Sequence, residues 1–267
     1  MSQKKKTVKI VKKPFLRGKV FDRDTVKSAL KFFAATLGMA VANLMMGSML
    51  MWEAAWMTKL FNGLLLLLAY MLFYQGGANK GTAAVNHGEI MYQRKEAGKT
   101  VSAADEALGF HSVKGIVNAL LGSIPMLICA VILACVAQRQ MSGIGALPGW
   151  IKTFQRRSEI GEALAFYNNI DPMTLEDSMR LVIRMLLMPL VNIIGIENKE
   201  GILRMEQLSV FPLLLPALSY GLGYLRGTDV RTGVHTAIAA GKRKRARKEK
   251  KRRQARMNTS KGPEQLN

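Results

Sequence analysis

Three histidines, two cysteines and one arginine are the side chains of this 267-residue chain from which chemistry could be built. His87, His111 and His235 lie far apart, and none belongs to a His-Glu-x-x-His or other metal-ligand spacing. There is no Cys-x-x-Cys and no Gly-x-Ser-x-Gly. His111 follows Asp105 and Glu106 closely enough to form an acid–base pair, but two acids there read more simply as capping groups of a solvated helix. Cys129 and Cys135 are six positions apart in one apolar run. On a helix they point to different faces and cannot bridge, so they read as small buried hydrophobes. Met45, Met46, Met49 and Met51 could join a thiol around Cu(I), although methionine is also an adaptable apolar filler. No catalytic constellation emerges. The expectation is a non-enzyme with no cofactor, no metal and no small-molecule substrate.

The arginine is Arg184. It borders the apolar stretch Met185–Ile196, and an ionisable group at membrane depth is a functional candidate by default. Snorkelling from a helix end is the plainer account.

The elements that must position these residues are apolar. Four uncharged stretches reach the roughly 20 residues that a helix needs to cross hydrocarbon. They are Phe32–Trp52, Leu60–Asn79, Gly115–Gln138 with Pro125, and Gln207–Leu225 with Pro212 and Pro216. Membrane helices tolerate proline, so kinks are expected there. Met185–Ile196 is too short to span alone and reads as a half-span or interfacial helix. The expected fold is therefore an all-α, polytopic membrane protein with four crossings and one half-helix, five full helices being the alternative. The first run is too long for the about 7–15 residues of a signal-peptide core and ends without a small-residue cleavage site, so it reads as a retained anchor.

Charge divides the chain differently from hydropathy. Met1–Lys31 carries eleven Lys/Arg against two Asp, and Arg226–Asn267 carries fourteen against three acids. The stretch between holds fourteen basic and thirteen acidic residues, so a net charge of +21 sits almost wholly at the two ends. Cytoplasmic flanks carry the Lys/Arg excess, which places both termini inside at the cell membrane and calls for an even number of crossings. The domain reading is a basic leader 1–31, a transmembrane domain 32–225 and a basic tail 226–267. Lys80–Lys114 then becomes a cytoplasmic loop, and Arg139–Glu206 an external region.

Local signals refine the loops. Ser102 with Asp105 three residues on resembles a capping box, and a helix is expected from Ala103 through Lys114 into the third span. Asp171-Pro172 reads as an N-cap and first helical residue, with Glu176 and Asp177 at the positive end of a helix running toward Pro189. Another short helix is expected after Ser158. Ser142–Gly149 is turn-rich and lacks the Gly-Lys-Ser/Thr of a phosphate loop. Gly223 and Gly227 form a Gly-x-x-x-Gly that permits close helix packing, and Tyr220 and Tyr224 beside them suit an interfacial aromatic belt.

The tail concentrates its cations in Lys242, Arg243, Lys244, Arg245, Arg247, Lys248, Lys250, Lys251, Arg252, Arg253 and Arg256. With no apolar face it cannot build a core, and disorder or a fraying helix is expected. Three roles suit it: a topology anchor, contact with anionic lipid headgroups, and contact with RNA such as a docked ribosome. The absence of aromatics argues against stacking on single-stranded bases. The functional expectation is a scaffold or accessory subunit whose basic ends engage anionic lipid, with other membrane subunits as further partners. The alternatives are a small transporter or channel subunit and an RNA-tethering protein. The few polar residues in the spans, Thr36, Asn43, Asn62, Asn118, Ser123 and Asn192, disfavour a wide aqueous path.

Overall fold

The computed structural model describes residues 10–52, 54–137 and 175–260. Among them the fold is all-α, with no strand; one isolated bridge joins Arg17 to Phe110. The expected turn at 142–149, the helix after Ser158 and the Asp171-Pro172 cap lie outside the described residues.

The helices are α1 (Arg23–Met49), α2 (Ala55–Glu96), α3 (Ala103–Ala107), α4 (Lys114–Val136), α5 (Leu175–Leu186), α6 (Met188–Ile194), α7 (Lys199–Gln207), α8 (Val210–Leu225) and α9 (Gly227–Ser260). Three of them, α1, α2 and α4, are long and apolar enough to cross a membrane. A fourth crossing is added if α7 and the rod Val210–Arg256, bent 54° from one another, count as one span. The break between them falls at Leu208-Ser209, shortly before Pro212, which has no N–H to continue the ladder.

Packing divides the residues into two compact units, one of 25–73 and 116–219, the other of 1–24, 74–115 and 220–267. The first unit has an inverted surface. Leu64, Leu67, Leu68, Met71 and Leu72 of α2 are exposed, as are Ile124, Ile128, Val131 and Ile132 of α4. The polar span residues Thr36, Asn43, Asn62, Asn118, Ser123 and Asn192 are buried instead. Water would penalise such an arrangement, since each exposed leucine forgoes about 1.5–3 kcal/mol of burial. Hydrocarbon favours it. The core of this unit gathers Ala40, Met126, Ala130, Leu133, Ile183, Leu186, Leu187 and Val191.

Met185–Ile196 does not form one helix. α5 ends at Leu186, and the seven-residue α6 starts at Met188 with Pro189 in its first turn and stops at Gly195 with φ 92°. Proline suits the first turn of a helix, where its missing N–H costs nothing, and glycine alone adopts that φ without strain.

The second unit corrects three expectations. Lys80–Lys114 is not a loop throughout, because α2 continues unbroken for 42 residues, about 63 Å. Small residues at Gly77, Gly81, Ala84 and Gly88 keep one face of its polar half bare, and backbone packs there: a Cβ on Gly81 would collide with the carbonyl of Tyr224, and one on Gly88 with that of Leu16. Next, Ser102 does cap a helix, its hydroxyl accepting from Asp105 N–H at 3.1 Å, but α3 ends after five residues instead of entering the third span. The chain turns at Gly109 because the leader lies across it. Gly18 N–H donates to Phe110 O at 3.0 Å, Lys19 N–H to Ala107 O at 3.2 Å, and Leu16 N–H to Gly88 O at 3.1 Å. Finally, Tyr224 is a core residue and not part of an aromatic belt. It is 1% exposed and stacks on Phe110 at 5.2 Å.

For the tail, disorder and a fraying helix are the two expectations. It is helical from Gly227 to Ser260. The first turns are held by tertiary contacts described below, and beyond them Glu249 pairs with Arg253 one turn on at 2.9 Å. Alanine, lysine, arginine and glutamate are all good helix formers, so a helix nucleated at its root can propagate outward.

Candidate functional site

Arg184 is the polar candidate within the first unit, and it is paired. Its guanidinium lies 2.6 Å from Glu206 Oε1, while Arg180 Nε donates to Glu206 Oε2 at 3.2 Å. Arg180 also meets Glu176 at 2.7 Å and Asp177 at 3.6 Å, the two acids of the first turn of α5. The side chain of Glu206 is 1% exposed, that of Arg180 5% and that of Arg184 18%. Arg184 therefore does not snorkel alone. It belongs to a cluster of two arginines and three acids that ties α5 to α7; Arg180 and Glu206 are its best-buried members, and Glu176 and Asp177 lie further out than Arg184. Neither stood out in the sequence as a site. The legible signal was the four-residue spacing of Arg180 and Arg184, which puts both on one helical face.

The buried asparagines form a second network in the same unit. Asn192 Nδ2 donates to Gly47 O at 2.9 Å and to Asn62 Oδ1 at 3.0 Å. Asn62 donates to Thr58 O at 2.8 Å, and Asn43 to Leu186 O at 2.8 Å. Main-chain carbonyls tie α1 to α5 and α6, and the Asn62 side chain ties α2 to α6. Nearby, a cavity of about 40 Å³ is lined chiefly by apolar groups such as Phe32, Leu66, Phe73, Met126 and Leu187, with Asn43 and Ser123 among the few polar ones. That volume accommodates about one or two water molecules. Arg184 is not among its lining residues.

In the second unit, a buried carboxylate fixes the root of α9. Glu89 of α2, 5% exposed, accepts from Arg231 Nε at 3.0 Å through Oε2 and faces His235 Nε2 at 2.7 Å through Oε1. Arg231 Nη2 also donates to Asn86 Oδ1 at 2.5 Å. The leader adds Val11 N–H to Thr236 Oγ1 at 3.2 Å. At the junction with α8, Arg226 Nη1 donates to the Tyr74 hydroxyl at 2.9 Å. That phenol, with its own partial negative charge, holds the Arg226 guanidinium above its ordinary value. Lys114 and Asp22 form a second buried pair at 2.7 Å, and Lys114 donates to Ala107 O at 3.1 Å.

Comparison with protein-family models, with curated proteins and with solved structures finds no match.

The remaining sequence candidates fall as follows. Gly223 and Gly227 both pack against α2: a Cβ at Gly223 would strike the Tyr74 carbonyl, and one at Gly227 would strike Gly81. Their close approach is thus used within the chain. His111 Nδ1 accepts from Val113 N–H at 3.3 Å, and His87 Nε2 lies 3.0 Å from Asp105 O. No three His, Cys, Asp or Glu side chains come together as metal ligands among the described residues. Met45, Met46, Met49 and Met51 are exposed. Lys242, Arg243, Lys244, Arg245, Arg247, Lys248, Lys250, Lys251, Arg252, Arg253 and Arg256 are all exposed on one continuous helix. The sequence missed the Glu89–Arg231–His235 clasp, because its acid and its bases lie 142 and 146 residues apart.

Proposed function

We propose that this chain is a multi-pass membrane protein acting as a non-enzymatic scaffold or accessory subunit, which presents a cationic helix to a cytoplasmic partner. In this reading α1, the apolar part of α2, α4 and the bent pair of α7 and α8 cross the membrane, and α5 with α6 forms the half-span. Both termini lie in the cytoplasm, as the Lys/Arg excess at each end favours. The observation that carries the proposal is the contrast along α9. Its root is fastened through the buried Glu89 carboxylate, whereas every residue from Lys242 to Arg256 is exposed. A fold that fastens one end of a helix this strongly favours display of the other.

The two basic ends differ in reach. Arg23, Lys27 and Lys31 are exposed on the first turns of α1, directly before the apolar run at Phe32, and suit anionic headgroups at about 1 kcal/mol each. The exposed cations of α9 begin at Lys242, far beyond the apolar part of α8. A transporter subunit finds less support, since the cavity is small and apolar and Arg184 is committed to Glu206.

The test is topological. With Cys129 and Cys135 replaced by alanine, single cysteines at Ser2 and at Asn258 should resist a membrane-impermeant maleimide in intact cells and react after lysis. Labelling of either from outside would overturn the four-span arrangement.

A further inference from the structure

The exposed cations of α9 sit at a height that bears on what they can touch. Val210 to Arg256 forms one helical rod. At ~1.5 Å per residue, Lys242 lies about 25 Å along the axis from Leu225, the last residue of the apolar run, and Arg256 about 46 Å. An ordinary span tilts by about 20°, which keeps most of that height. The Debye length at physiological salt is about 8 Å. Headgroups bordering the apolar run are therefore several screening lengths away from even the nearest of these charges.

Their distribution around the axis matters as well. With successive residues turned by about 100°, the eleven cations leave no angular gap wider than about 60°. Lys242, Arg253 and Arg256 point one way, and Lys244, Lys248 and Lys251 the opposite way. A flat surface, whether bilayer or acidic protein, can touch one side of such a rod. A groove walled by phosphates can touch all of it. The segment holds no aromatic, and its only acid, Glu249, is paired with Arg253. It is thus built for charge and not for stacking or base recognition. A helix with side chains is about 10–12 Å across, and the major groove of B-form DNA about 12 Å wide.

We infer that Lys242–Arg256 docks along the phosphate-lined major groove of a B-form DNA duplex, contacting the backbone on both sides and reading no sequence. This rests on the proposed display of α9 in the cytoplasm. The occupant is DNA, because the major groove of an A-form RNA duplex is deep and narrow and does not admit the rod.

The test uses the full-length protein in nanodiscs of neutral lipid, titrated with fluorescent DNA and RNA duplexes of about 20 base pairs over a range of salt. Tighter binding to the DNA duplex is expected; equal or tighter binding to the RNA duplex would overturn the groove. The logarithm of affinity should fall with the logarithm of salt at a slope of about −6 or steeper, since each neutralised phosphate contributes roughly −0.9. Two triple variants are decisive: Lys242→Gln with Arg253→Gln and Arg256→Gln, and Lys244→Gln with Lys248→Gln and Lys251→Gln. Glutamine sustains a helix, and circular dichroism of the variants checks that it does. Each triple should weaken binding and flatten the slope by about 3. A silent triple would mean one-sided contact and overturn the groove. So would equal binding to polyglutamate, or loss of duplex binding in discs of anionic lipid, which would place the rod on the bilayer. Failure of the membrane arrangement would appear instead as external maleimide labelling, with these titrations unaffected.

Discussion

Glu89 and His235 lie 2.7 Å apart across 146 residues of sequence, and with Arg231 they form the fastening of α9 to α2. Glu89 is the shared member. Its carboxylate receives both partners, so its loss removes a partner from the buried His235 and from the partly buried Arg231, which keeps its bond to Asn86.

Replacing Glu89 by alanine should therefore loosen the root of α9 at a cost of about 1.5–3 kcal/mol, the loss of a charge-assisted hydrogen bond and of the partner of His235. Hydrogen exchange should rise across Gly227–Ala240 and stay as before in α4. His235→Ala should have a smaller effect, because Arg231 still holds the carboxylate. Unchanged protection in Glu89→Ala would show that the clasp does not fasten this helix.

The Glu206 cluster predicts a ranking. Glu206→Ala leaves Arg180 and Arg184 facing each other in a buried site, and it should lower the melting temperature in detergent the most. Arg184→Leu should cost less, since Arg180 still serves Glu206 and Arg184 is the more exposed of the two. Arg184→Lys should be nearly silent in stability. Equal effects of Glu206→Ala and Arg184→Lys would contradict the arrangement.

The glycine contacts predict a steric effect with built-in controls. Gly81→Ala and Gly223→Ala place a methyl group against backbone carbonyls that cannot yield, so each should destabilise by about 1–3 kcal/mol. Gly63→Ala and Gly233→Ala meet open space and should be neutral or slightly stabilising, since alanine is the better helix former. Thermal unfolding of the four variants in detergent checks the contrast.

Within the asparagine network, Asn192→Leu should remove two hydrogen bonds and leave the Gly47 carbonyl unmet, lowering stability by about 1–2 kcal/mol. Asn192→Asp should do worse if the carboxylate ionises, since it then offers no donor. A thermal shift series over both variants would show it.

What the sequence revealed follows the range of the interaction involved. Apolar length disclosed α1, α4 and the apolar part of α2, because hydrocarbon acts on each segment alone. The Ser102 cap was legible because both of its partners lie within three residues. The polar half of α2 was not, since Lys80, Glu89 and Arg94 resemble loop residues until partners elsewhere in the chain are supplied. Arg184 drew attention for its own position, yet the carboxylate that explains it lies 22 residues downstream on another helix. Tyr224 looked interfacial because its neighbour Phe110 was invisible to any local window.

The packing of Gly77 and Gly81 against Tyr220 and Tyr224, and of Gly223 against Tyr74, fixes an order of assembly. The two sides of this seam are separated by more than half the chain. At about 5–20 residues per second, synthesis takes roughly 7–30 seconds to travel from one to the other. Throughout that interval Gly77 and Gly81 lack the segment that covers them, although the leader is already made and can cover Gly88. The nascent chain must shield those two glycines by other means, and a product stopped short of Tyr220 would keep them open.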